Sequence, residues 1–207
     1  MRKENAMYLR MTCIAATALA LGSVANADIV YSDFTDTAQE GGSVSFEING
    51  LDYEFGIQTG GPLNYAYVTT TSEGAGIFVP LLDEGNARNF AAGDNIGTLT
   101  SVLNMFPLGG ADENINLVMY DYATGDGDFA PETTGYVGFG FGSGVQFNYG
   151  WIEFTLYAEG EFEFIDINGW AYNDVVNESI TVGQIPAPGA FALLALGGLA
   201  GRRRRQG

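Results

Sequence analysis

The chain has 207 residues, 46% of them hydrophobic and 16% charged, with 30 Gly, one Cys, no His and a formal net charge of −17. Its cations are Arg2, Lys3, Arg10, Arg88 and four arginines at 202–205, so residues 28–201 set one cation against 24 carboxylates, a net charge of −23. Such a chain repels phosphate backbones, which excludes nucleic acid as a partner. The missing His and Lys exclude imidazole triads, His metal ligands, Schiff-base chemistry and a Walker-type loop.

Residues 1–27 read as a signal peptide. Arg2, Lys3 and Arg10 form a charged lead, 11–24 an apolar run, and Ala25-Asn26-Ala27 a small-residue cleavage site directly before Asp28. Cleavage after Ala27 by a signal peptidase removes Cys13, the only cysteine, so no disulfide forms within the mature chain.

From 28 to 184 the apolar period is two, with turn residues every eight to twelve positions, which predicts an all-β domain: an antiparallel β-sandwich or jelly-roll-like body. This body is flanked by an N-terminal signal helix and a C-terminal hydrophobic helix. The clearest unit is 44–48, Asn49-Gly50 and 51–55, a type I′ hairpin. Its register places Val44, Phe46 and Ile48 opposite Phe55, Tyr53 and Leu51 on one face, and Glu47 opposite Asp52 on the other. Like charges so placed repel, and two readings follow: a solvated outer face, or a Ca²⁺ site with Glu47 and Asp52 as ligands.

Further strands are predicted at 29–34, 65–71, 76–79, 115–120, 136–141, 151–157, 161–167, 170–173 and 179–182. Residues 82–110 receive no assignment beyond a short helix near 100–105. Asp121, Asp126, Asp128 and Glu132 cluster hard oxygen donors in a Gly-rich loop, a second Ca²⁺ candidate, though without EF-hand spacing. The sequence asks for no cofactor, and Ca²⁺ is the one ion for which it offers ligands.

Val137, Phe139 and Phe141 alternate with Gly138, Gly140 and Gly142, giving one bulky and one bare face that admits a neighbouring aromatic. On the next strand Ile152, Phe154 and Leu156 share a face, opposed by Trp151, Glu153, Thr155 and Tyr157. Trp151, Tyr157 and Trp170 are the candidate sugar platforms. Glu153, Glu161 and Glu163 are the carboxylates a glycosidase would need, and also ordinary solvent-facing positions. Arg88 is expected to pair internally.

Residues 185–207 form a tail. Ile185-Pro186-Ala187-Pro188-Gly189 breaks regular structure, 190–201 is apolar, and Arg202, Arg203, Arg204 and Arg205 hold the cytoplasmic side as a membrane stop. This order resembles the PEP-CTERM sorting signal. Ala187 stands where that family usually has Glu, and the P-A-P-G-A form resembles its planctomycete-type variant. Residues 135–173, with Tyr149-Gly150-Trp151-Ile152 and Gly169-Trp170-Ala171-Tyr172, resemble a block found before that signal. The resemblance implies processing by an exosortase-like sorting enzyme and no catalytic residues. At ~1.5 Å per residue, 189–201 spans about 20 Å of a ~30 Å hydrocarbon core, which suits a transient anchor.

The expectation is therefore an exported protein of structural or interaction type, anchored transiently in the membrane and then held in the cell envelope or outside the cell. It is not expected to be an enzyme, and exopolysaccharide is its candidate partner. The alternative is a carbohydrate-binding or glycan-active β-sandwich at the cell surface.

Overall fold

A computed structural model describes residues 29–60, 63–79, 86–98, 105–106, 117–122, 125, 127–159 and 162–185. The expected signal segment, sorting tail and helix near 100–105, together with Asp126 and Glu161, lie outside these residues. The described protein is all-β, and its named strands pair antiparallel.

The strands are β1 (Ile29–Ser32), β2 (Asp36–Gln39), β3 (Ser43–Ile48), β4 (Leu51–Gly60), β5 (Leu63–Thr70), β6 (Ala75–Phe78), β7 (Asn89–Phe90), β8 (Asn95–Ile96), β9 (Met105–Phe106), β10 (Leu117–Asp121), β11 (Thr134–Ser143), β12 (Gln146–Glu159), β13 (Phe162–Asn173) and β14 (Ile180–Thr181). The large sheet runs β1-β13-β12-β11-β6-β9, with β2 also pairing β13 and β7 also pairing β11. The second sheet runs β10-β5-β4-β3, and β8 with β14 form a small third one.

The β3–β4 hairpin has the register its sequence dictates. Asn49 and Gly50 take φ of 53° and 80°, the turn needs no extra residue, and Ile48, Phe46 and Val44 fall opposite Leu51, Tyr53 and Phe55. The buried face alternates with exposed Ser43, Ser45 and Glu47.

Two cores result. The inner one lies between the large and second sheets, where Phe46, Tyr53 and Phe55 meet Phe139, Ile152, Phe154, Leu156, Ile165 and Ile167. The outer one sits on the opposite face of the large sheet, where Ile96, Ile180 and Val182 cover Phe78, Phe90, Tyr149, Trp151 and Ala171. The sandwich therefore carries a small cap over part of its outer face. Of the two cap strands, β14 falls within the strand expected at 179–182, whereas β8 is a two-residue segment inside the unassigned 82–110, too short for periodicity to reveal.

Two predicted strands, 161–167 and 170–173, are one. Across β13, Phe154 faces Ile167 and Glu153 faces Gly169, so Asn168 is an extra residue in a bulge. Gly169 is required there: its φ is 149°, and a Cβ would lie 2.7 Å from the Ser32 carbonyl oxygen. The bulge shifts the alternation, so Ile165 and Ile167 face inward before it and Trp170 and Tyr172 face inward after it.

The Tyr53 hydroxyl in the inner core is among the buried groups left unsatisfied. The Tyr53 side chain is fully buried, burial pushes its hydroxyl pKa up, and its oxygen has no hydrogen-bond partner. Tyr53→Phe keeps the ring against Phe139, at 5.2 Å between centroids, and removes that oxygen. We expect it to raise folding stability by about 1 kcal/mol, read as a higher urea midpoint at unchanged slope.

Candidate functional site

The outer face of the large sheet is divided. Toward β8 and β14 it is closed, and Trp151 is 1% exposed, packed by Tyr31 at 6.4 Å and Tyr136 at 5.7 Å between ring centroids. Trp151 therefore presents no ring face to a ligand. Toward β2 the sheet is open, and Tyr157 and Phe164 lie directly opposite in register, stacked at 4.4 Å and 13°.

Beside that stack is a recess of about 740 Å³ lined by Thr37, Gln39, Glu40, Glu163, Phe164 and Asp166. Thr37 donates its hydroxyl to Asp166 Oδ1 at 2.6 Å, and Asn168 Nδ2 donates to Thr155 Oγ1 at 3.0 Å. An aromatic stack bordered by carboxylates, hydroxyls and amides is the composition of a sugar-binding surface. Among the three sequence candidates, Tyr157 alone lies on it. Trp170 is half-buried against the inner core, stacked on Tyr172 at 6.0 Å and 19°.

The carboxylates separate. Glu153 lies on the outer face, where it raises the pKa of the Tyr136 hydroxyl, itself already raised by burial. Glu163 shares the inward parity of Ile165 and Ile167 and reaches across the sandwich to Asn64. Glu153 and Glu163, expected together at solvent-facing positions, are both half-buried and differ in the face to which strand parity assigns them. Strand alternation is set by the two isoleucines that fill the core, and Glu163 follows them inward while Phe164 turns out. Glu153 and Glu163 stand on opposite faces of one sheet and do not flank a common substrate position.

The hairpin carboxylates are in the expected register. Glu47 falls opposite Asp52, both exposed, and Ser45 opposite Glu54. Glu54 is satisfied by hydroxyls, accepting from Tyr67 at 2.7 Å through Oε1 and from Ser45 at 3.3 Å through Oε2. Burial, and then the bond to Glu54, push the Tyr67 pKa up to about 12. Tyr67 lies over Gly56, where a Cβ would come 2.5 Å from its hydroxyl oxygen.

In the other acidic loop, Asp121 ends β10 and its carbonyl accepts from Gly125 N at 2.7 Å. The Asp128 carbonyl accepts from Asn89 Nδ2 at 3.0 Å, and Glu132, at φ 62°, accepts through Oε1 from Ala158 N at 3.2 Å. Among the described residues no group of three or more Asp, Glu, Cys or His side chains is arranged to hold a metal ion. Arg88 places its guanidinium 4.8 Å from the centroid of the Phe90 ring.

Phe164, Gln39 and Thr37 are the surface residues that sequence reasoning missed. The signal available was the parity of Ile165 and Ile167, which assigns Phe164 to the opposite face. Compared with known proteins, the chain has no significant match to a family, to a curated protein or to a solved structure. No helix among the described residues is long and apolar enough to cross a membrane.

Proposed function

We propose that this chain is an exported, non-catalytic protein of the cell envelope or extracellular matrix, sorted by a PEP-CTERM-like tail. The observation that carries the reading is the order Pro186-Ala187-Pro188-Gly189, apolar 190–201, Arg202 to Arg205, behind an N-terminal segment ending in Ala25-Asn26-Ala27. Signal peptidase and an exosortase-like enzyme are its processing partners, and 190–201 is its transient contact with the membrane. The non-catalytic role is supported by the separation of Glu153 and Glu163 onto opposite faces.

The test is the intact mass and terminal sequence of the protein recovered from its native envelope or medium. The expected product starts at Asp28 and has lost the residues beyond the Pro186 region. A retained C-terminus carrying all four arginines overturns the sorting assignment.

A second reading, a carbohydrate-binding surface, is favoured by the Tyr157–Phe164 stack beside the recess. The net charge of −23 restricts its ligands to neutral or cationic glycans. Calorimetric titration with neutral oligosaccharides supports this reading if heats are lost in Tyr157→Ala, and opposes it if Tyr157→Ala binds as the parent does.

A further inference from the structure

The two sheets are joined at one end by a polar pair. Asn64 on β5 donates through Nδ2 to Glu163 Oε1 on β13 at 3.0 Å. The remaining oxygens of both side chains, Asn64 Oδ1 and Glu163 Oε2, are buried and have no hydrogen-bond partner. An ionised carboxylate only accepts, and Oδ1 of an amide only accepts, so the pair as an anion has two acceptors left over and no donor for either. Unsatisfied buried acceptors are costly, and a single proton on Oε2 supplies what both lack.

We infer that Asn64 and Glu163 form a proton-gated clamp between the sheets. With Glu163 neutral, its Oε2–H donates to Asn64 Oδ1 while Oε1 continues to accept from Nδ2, and the two planar groups join by two hydrogen bonds. With Glu163 ionised, one bond remains and two acceptors stand unpaired.

Among the described residues no donor is bonded to either oxygen. Tyr122, which follows β10, gives its hydroxyl to the Tyr157 carbonyl at 3.4 Å. Glu132 takes the amide of Ala158, the residue opposite Glu163 on β12. Among the described residues, the titratable groups that flank the pair in sequence or strand register are Glu40 after β2, Tyr65 on β5, Tyr120, Asp121 and Tyr122 at the end of β10, Glu132 before β11, Tyr157 and Glu159 on β12, and Asp166 on β13. None is cationic, and the one cation of 28–201, Arg88, stacks on Phe90. Burial raises the Glu163 pKa above the usual carboxylate range, the Asn64 amide opposes that shift, and the charge of Glu40 adds to it.

The sign of the pH dependence follows. A carboxyl whose folded pKa lies above its unfolded one contributes stability that is complete below the unfolded value and is lost as pH rises through the folded value. The clamp is closed in acid and opens to a single hydrogen bond as pH rises through the folded value.

Glu163→Gln tests it, because the glutamine amide supplies the missing donor at every pH. At pH 7 the variant is expected to melt about 3 °C above the parent, and at pH 3 the two coincide. The gain disappears when Asn64→Ala is present in both chains. An unchanged or lower melting temperature at pH 7 overturns the clamp. So does the same gain in the Asn64→Ala background, which would trace the effect to relief of repulsion from Glu40. Carbon-detected NMR titration of the parent gives an independent readout: the Glu163 carboxyl titrates above the exposed glutamates, and a midpoint coincident with theirs overturns the proposal.

Discussion

Phe154→Ala is expected to remove about 4 kcal/mol of folding stability, among the largest losses available to a single truncation in this protein. Phe154 is 0% exposed and lies at the centre of the inner core, with the Phe129 ring at 4.9 Å and the Phe55 ring at 5.4 Å between centroids. The three rings come from three separate parts of the chain, so truncation loosens the contact between sheets as well as one strand. The hole does not close easily. Phe55 is fixed on β4 between β3 and β5, and Phe154 is fixed on β12 between β11 and β13, each by hydrogen bonds on both sides. Neither backbone can move inward without breaking a ladder, so the cavity persists and its cost adds to the lost transfer energy. With a urea slope of about 2 kcal/mol per M, the midpoint falls by about 2 M at unchanged slope. A loss under 1 kcal/mol would mean that the sheets close over the gap, and would contradict a core held by paired ladders.

The contrast between the two cores explains what the sequence made legible. In β3, β4, β11 and β12 one apolar residue alternates with one polar or bare residue over six or more positions, and the Asn49-Gly50 turn fixes register without reference to anything distant. Local pattern and tertiary structure agree there. The cap is different, because Ile96, Ile180 and Val182 each stand almost alone among polar and glycine residues and acquire their role only by landing on Trp151, Tyr149 and Phe78. A period cannot be read from one or two residues, so Trp151, which alternation rightly places on the outer face, looked available to solvent.

The candidate site failed in the reading for a related reason. Glu161-Phe162-Glu163-Phe164 invites an amphipathic assignment with the phenylalanines inside, but Ile165 and Ile167 bind the strand in the opposite phase. Two β-branched residues at the centre of the strand outweigh two aromatics near its end, where Phe164 stacks on Tyr157. The Asn168 bulge then restores inward packing for Trp170, which no uninterrupted alternation predicts. Asn64 had no signal at all: its partner is 99 residues away, and an isolated asparagine in a strand carries no record of what faces it.

Gly138→Val is expected to lift the cap from the sandwich at a cost of about 3 kcal/mol. Gly138 lies on β11 opposite Trp151, on the bare face, and its φ is not in the left-handed region, so the backbone accepts any residue and only space decides. A Cβ there would sit 2.7 Å from the Phe90 ring, 3.0 Å from Ile96 and 3.1 Å from the Phe78 ring. Real Cβ contacts are not made at 2.7 Å, and three neighbours must give way together. Phe78 is held by β6, paired on β11, whereas Ile96 belongs to a sheet of two residue pairs. The weaker partner moves, and β8 departs with β14 while the two large sheets stay closed. Trp151 loses its cover in that state. The chain has two tryptophans, so Trp170→Phe in both proteins leaves Trp151 as the one reporter, and its emission shifts to longer wavelength in the valine variant. Emission and urea midpoint both matching the parent would show that the space over Gly138 accommodates a branched side chain, and that the cap is not seated on the bare face of β11.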